Sequence, residues 1–189
     1  MVRGFSYALR TTNYVLVDMT ESEIILSLQR SFNSSFGRVV VGICARWLIY
    51  AYLLIPLSIR RIPVFRAGFS VALWSALLAF AFTSGIAAFV GRVRPYLAIK
   101  GVVAFVPPNI QAGSFPSSHT AISFAIAASI FSMNQGWGLI AFAIAFLVAF
   151  GRIAAGMHYP SDVLGGMAVG LLAFACVSII QDRLKKMSL

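Results

Sequence analysis

Three short polar clusters interrupt an otherwise apolar chain, and both of its histidines lie in them. They read Gly91-Arg92-Val93-Arg94-Pro95, then Phe115-Pro116-Ser117-Ser118-His119, then Gly151-Arg152 followed by Gly156-Met157-His158-Tyr159-Pro160-Ser161-Asp162. Arginine forks, serine hydroxyls and the N-H groups of a helix start suit a phosphate. Histidines near a carboxylate suit acid–base or nucleophilic chemistry. Ionisable residues gathered at the ends of apolar segments mark a site, because charge inside a bilayer is costly.

Pro116 suits the first turn of a helix, where Ser117 and Ser118 would set hydroxyls beside unpaired backbone N-H groups and place His119 just inside. The same residues would also serve as an ordinary helix cap. In the third cluster His158 and Asp162 are four residues apart. With Pro160-Ser161 opening a helix, Asp162 falls in its first turn and can accept the Nδ1-H of His158. Nε2 is then left as the lone-pair nucleophile or base. Arg152, at the end of the preceding apolar segment, could reach the same phosphate or simply snorkel to the interface. Arg94 precedes a proline and marks where a helix ends and the chain turns over the site. Arg92 and Lys100 add positive potential as possible auxiliary charges. Two histidines and an aspartate could ligate a metal, but Arg92, Arg94 and Arg152 would repel a divalent ion, so neither metal nor other cofactor is expected.

The elements that position these groups are membrane helices. Hydrophobic residues make up 60% of the 189, only 11% are charged, and mean hydropathy is +0.89. A soluble domain is nearer ~45–50% apolar. The net charge of +10 sits in short blocks at segment ends, which points to membrane orientation and anionic headgroups rather than to nucleic acid. Cys44 and Cys176 lie in apolar runs and read as buried free thiols. The first 35 residues scatter charges without an apolar core, so no cleavable signal peptide is expected.

A spanning helix needs ~20 mostly apolar residues. Five segments approach that: Val39–Ile59, Ala67–Val90, Ser117–Met133, Trp137–Ile153 and Asp162–Ile180. Glu21–Phe32 is too short and polar to cross, and reads as an interfacial amphipathic helix or an ordinary surface helix. The expected fold is an all-α integral membrane bundle of five transmembrane helices plus that N-terminal helix. Five crossings put the three clusters on one face. Arg60, Arg61, Arg66, Arg183, Lys185 and Lys186 lie on the other, which the positive-inside rule assigns to the cytoplasm. The site then faces the extracytoplasmic side. Arg3, Arg10, Arg30 and Arg38 in the N-terminal stretch run against that orientation.

In this order the clusters resemble the signature of the type-2 phosphatidic acid phosphatase and vanadium haloperoxidase superfamily, which runs Lys-x6-Arg-Pro, Pro-Ser-Gly-His and Ser-Arg-x5-His-x3-Asp. Arg94-Pro95 match the first motif. Pro116-Ser117-Ser118-His119 match the second with serine for glycine, and Arg152, His158 and Asp162 the third with glycine for serine. The resemblance covers about Ile86–Gly170, and the wording Phe-Pro-Ser-x-His and His-Tyr-Pro-x-Asp-Val-Leu-Gly is most similar to bacterial undecaprenyl-diphosphatases. It implies one membrane-embedded phosphatase domain over residues 1–189, with an N-terminal interfacial segment at 1–38 and the catalytic motifs at 86–170. It also implies that His158 attacks phosphorus, Asp162 orients it, and His119 protonates the leaving oxygen and then activates water. Arg94, Ser117, Ser118 and Arg152 would hold the phosphoryl oxygens, without a metal.

One position departs from the signature: its lysine would stand at Ala87. Arg92 would fall on roughly the opposite helix face, so Lys100 or Arg46 could supply the missing charge, although Arg46 could instead snorkel to the interface. The substrate expected from the resemblance is a polyprenyl diphosphate in the membrane, cleaved to the monophosphate. Alternatives are phosphatidate or phosphatidylglycerophosphate hydrolysis, and, from another class, non-catalytic lipid binding or transport.

Overall fold

The computed structural model describes residues 19–50, 63–107 and 113–187, and every regular element among them is helical. Helix α1 is Met19–Ser31 and α2 is Ser35–Gly42, which runs on through a π-helical turn at Ile43–Trp47. The long α3, Pro63–Val90, is followed by the one-turn α4, Pro95–Ala98. Then come α5, Ser118–Met133, α6, Gln135–Ala154, and α7, Pro160–Met187. Three helices are long and apolar enough to cross a bilayer, and α5 is a shorter apolar helix. The expected first span, Val39–Ile59, is described only as far as Tyr50.

Helix α5 is the axis of the bundle and packs against α3, α6 and α7. Ten of its residues from Thr120 to Ile130 are buried. A helix that is apolar all round and buried on every side can be short, because its neighbours, not lipid, surround it. The interior is built from small side chains. Ala79, Ala121, Ala125 and Ala173 are fully buried together, while Trp74, Leu77, Leu164 and Leu172 point outward. That inside-out distribution is expected where lipid is the solvent and packing, not water exclusion, holds helices together. Glycine sets the closest approach: a Cβ at Gly166 would stand 2.6 Å from the Ser117 carbonyl oxygen. Between α5 and α6, Asn134 ends one helix and caps the next, accepting the Trp137 N-H at 3.0 Å.

Helix α1 packs its apolar face onto the end of the bundle. Among its described side chains, Ile24 is the only exposed apolar one. Ile25 is fully buried against Val102 and Tyr159, with Leu26 packed beside them, and Leu28 and Phe32 pack on the cluster around Met157. Gln29 Nε2 donates to the Val103 and Ala154 carbonyls at 2.6 and 3.3 Å, and its Oε1 accepts the Val103 N-H at 3.1 Å. These bonds satisfy a buried amide and seal the helix onto the loops that carry the polar clusters. The thiols depart from expectation. Both cysteines are free, but Cys176 is exposed on α7 and Cys44 is half-buried.

Candidate active site

The three clusters meet at the end of the bundle. Arg94, Ser118, His119, Arg152 and His158 line one cavity of about 550 Å³ with Phe80, Ser84, Ala87, Ala88, Gly91, Gly113 and Pro116. Each polar group has a local reason for its position. Arg94 is the extended residue before Pro95 and N-caps α4, as a residue before proline should. Arg152 is in the last turn of α6 and is 6% exposed. His158 follows the turn in which Gly156 adopts φ 70°, so the chain reverses there between α6 and α7.

The hydrogen bonds of His158 decide its tautomer. Nδ1 lies 2.7 Å from the Ser114 carbonyl oxygen, which can only accept, so Nδ1 carries the proton. Nε2 lies 3.2 Å from Arg94 Nη1 and 3.2 Å from Arg152 Nη2, which can only donate. Nε2 therefore holds a lone pair between two guanidiniums. Burial first, then the Arg152 and Arg94 charges, lower the pKa of His158 to about 4, against the opposing interaction with Asp162. The imidazole is then neutral at pH 7, with Nε2 as its lone-pair nitrogen.

Arg152 Nη1 donates to the Ala45 carbonyl at 3.0 Å, while its buried Nε has no partner among the described residues. An unsatisfied buried donor beside the cavity is costly unless a ligand completes it, and a phosphoryl oxygen has the required chemistry.

Asp162 departs from its expected pairing. Its Oδ2 is 3.6 Å from His158 Nδ1 and accepts the Tyr159 N-H at 2.9 Å, while Oδ1 accepts from Arg92 Nη1 at 2.7 Å. The proton expected to point at Asp162 is thus directed to Ser114, and the carboxylate stands behind the ring as a fixed charge. Arg92 is corrected as well. Its guanidinium does not line the cavity but spans Asp162, Ser161 Oγ at 2.6 Å and Glu21 at 2.9 Å, lying 3.9 Å over the Tyr159 ring. Two carboxylates and an aromatic face outcompete an open cavity for it.

Lys100 is exposed on the turn after α4 and is not part of the lining. Arg46 lies over the exposed Trp47 ring at 5.6 Å and likewise does not reach the lining. Among the described residues no cation therefore replaces the lysine of the signature along the cavity wall, and Ala87 itself lines it.

The second cluster is shifted by two residues. Helix α5 begins at Ser118 with Ser117 as N-cap, which leaves Pro116 outside the first turn. The cause is an anchor across the bundle, in which Ser117 N-H donates to the Asp162 carbonyl at 3.0 Å. Ser117 is fully buried and its hydroxyl accepts from Thr120 at 3.0 Å, so Ser118, not Ser117, presents itself to the cavity. The Ser114 carbonyl and Glu21 were not legible as site groups. A main-chain oxygen carries no residue-type signal. Glu21 could have been flagged by scarcity alone, as one of five acids against fifteen lysines and arginines.

Residues 68–186 match the family model described as the PAP2 superfamily. A decaprenylphosphoryl-5-phosphoribose phosphatase of Mycobacterium tuberculosis is 33% identical over 148 residues, covering 78% of this chain and 76% of that protein. The undecaprenyl-diphosphatase BcrC of Bacillus subtilis is 38% identical over 81 residues, covering 42% of this chain and 40% of the relative. The match to a bacitracin transport permease protein BcrC of Bacillus licheniformis likewise spans 39% of its length. In fold, the chain is similar to the crystal structure of Aquifex aeolicus LpxE, with a TM-score of 0.67 at 21% identity, covering 82% of this chain and 92% of that one. The chain is a helical membrane protein and belongs to the PAP2 superfamily.

Proposed function

We propose that the chain is a membrane lipid phosphatase that acts through a phosphohistidine. The observation that carries this is the unprotonated Nε2 of His158, set 3.2 Å from each of two guanidiniums at the wall of a cavity. Nε2 attacks phosphorus in line with the leaving oxygen, and His119, on the same wall, protonates that oxygen as its bond to phosphorus breaks. His119 then takes a proton from water, whose oxygen attacks phosphorus and breaks the P–N bond. Arg94 and Arg152, with Ser118 and the donors at the start of α5, stabilise the charge spread over the phosphoryl oxygens. Asp162 stabilises the charge that develops on the ring from 3.6 Å behind it.

The preferred substrate in this reading is a polyprenyl diphosphate. Its leaving group is a lipid monophosphate, better than the alkoxide released from a monoester. A second reading has its own support. Arg94 and Arg152 match one phosphoryl group, and the small residues Ser84, Ala87, Ala88, Gly91 and Gly113 leave room for a neutral sugar beside it. The M. tuberculosis relative is named for such a lipid-linked sugar phosphate. A panel of undecaprenyl diphosphate, phosphatidate and a lipid-linked pentose phosphate separates them. The expected result is a kcat/KM for the diphosphate ~10-fold or more above phosphatidate, equivalent to ~1.4 kcal/mol in the barrier. A sugar phosphate turned over faster than the diphosphate would favour the second reading, and preference for phosphatidate would remove both.

The reading includes five crossings and a site facing the extracytoplasmic side. In a background lacking Cys44 and Cys176, Lys100→Cys is expected to react with an impermeant thiol reagent in intact cells. Gln135→Cys, on the α5–α6 turn, is expected to react only after permeabilisation. The reverse pattern would place the site in the cytoplasm.

A further inference from the structure

Glu21 lies in α1, far from the three motifs in sequence, yet it touches the machinery from behind. Its Oε2 accepts from Arg92 Nη2 at 2.9 Å and its Oε1 accepts the Ser161 N-H at 2.7 Å. Arg92 in turn donates to Asp162 Oδ1 at 2.7 Å, and Asp162 is fully buried. The order in space is Glu21, Arg92, Asp162, His158, and only the last lines the cavity.

We propose that Glu21 is a positioning residue that sets, through Arg92, how much negative charge Asp162 turns on His158. The proposal rests on the assignment of His158 as nucleophile. Arg92 alone beside Asp162 would form a neutral pair, and a neutral pair does little for a ring that becomes positive when Nε2 bonds to phosphorus. Glu21 supplies a second carboxylate to the same guanidinium, so the cluster of two acids and one base keeps one net negative charge behind the ring. Asp162 is fully buried, so on the side facing His158 its charge is weakly screened. The arginine meanwhile fixes the carboxylate, with one oxygen on Arg92 and the other on the Tyr159 N-H. The N-terminal helix therefore contributes to the reaction as well as sealing the loops, and a chain lacking α1 would lose rate even where the motifs remain.

The test uses the full chain in lipid vesicles, on whichever lipid of the panel above the wild type hydrolyses fastest. Glu21→Gln is expected to lower kcat about tenfold, ~1.4 kcal/mol, with KM within about twofold, because the residue meets no substrate. Glu21→Asp, which keeps the charge, is expected to retain more of kcat than Glu21→Gln. The double variant Glu21→Gln/Arg92→Gln restores the single net charge and is expected to recover kcat above that of Glu21→Gln. Residues that acted only as a structural clamp would give losses that do not reverse in the double variant. Wild-type kcat in Glu21→Gln, or a double variant no faster than it, would overturn the proposal. If His158→Ala kept full activity, the nucleophile assignment would fall first and this inference with it.

Discussion

His158→Ala is expected to reduce turnover by about 10⁴-fold or more, the scale seen when a covalent nucleophile is removed and only binding and charge stabilisation remain. The side chain fills a closed position, 3% exposed, with one nitrogen committed to a main-chain carbonyl and the other to the two arginines. Alanine leaves Arg94 and Arg152 without their shared acceptor, so the anion cradle loosens but is not lost. Substrate binding should weaken far less than turnover. Brief incubation of the wild type with a lipid phosphate labelled at the transferred group should leave base-stable, acid-labile label on the protein, and the alanine variant should carry none. Label retained by His158→Ala, or full activity in it, would remove the phosphohistidine from the mechanism.

The chemistry of this chain was more legible than its shape because polar residues in an apolar sequence stand out and their types are few. His158, His119, Arg94, Arg152 and Ser118 were each marked by residue type and cluster, and all five line one cavity. The long apolar helices were equally visible, since length and hydropathy are properties of the sequence itself. What was not legible depends on which partner wins a competition. Asp162 has His158 four residues away as an obvious partner, yet Arg92 and the Tyr159 N-H hold its oxygens closer. Arg92 looked like a charge for the substrate until α1 delivered a carboxylate to it. Ser117 looked like a ligand, but an anchor to the Asp162 carbonyl buries it one step behind Ser118. The amphipathic pattern of α1 showed that it would bury one face and could not show that the face meets the site loops.

The substitution at the signature lysine follows the same logic. Ala87 sits on the cavity wall, and among the described residues no further cation joins Arg94 and Arg152 there, Arg92 being held by Glu21 and Asp162. In the proposed reaction the positive charge available to a phosphoryl group is then concentrated on Arg94 and Arg152, the two groups that also flank His158 Nε2. Fewer cations make each of them carry a larger share of the transition-state stabilisation.

Arg152 should therefore be the most sensitive binding residue. Arg152→Gln is expected to lower kcat/KM by about 10²–10³-fold, the range for losing a preorganised donor aimed at developing charge. Most of the loss should appear in kcat, since the phosphoryl oxygens gain charge density at the donors only as the transition state forms. Glutamine keeps a donor for the Ala45 carbonyl, so the packing of α6 on the π-helical turn should largely survive, and an unchanged melting temperature would show it. Arg152→Lys is a sharper probe because it preserves the charge but not the planar fork. It should recover only part of the rate, since one ammonium cannot serve the Ala45 carbonyl, His158 Nε2 and a phosphoryl oxygen in the geometry that three guanidinium nitrogens provide. Vanadate, whose five-coordinate adduct resembles the transition state, should lose affinity in both variants in parallel with kcat/KM. Activity of Arg152→Gln within about threefold of wild type, on a protein that binds vanadate normally, would assign the residue to the interface between α2 and α6 and leave Arg94 alone at the phosphate.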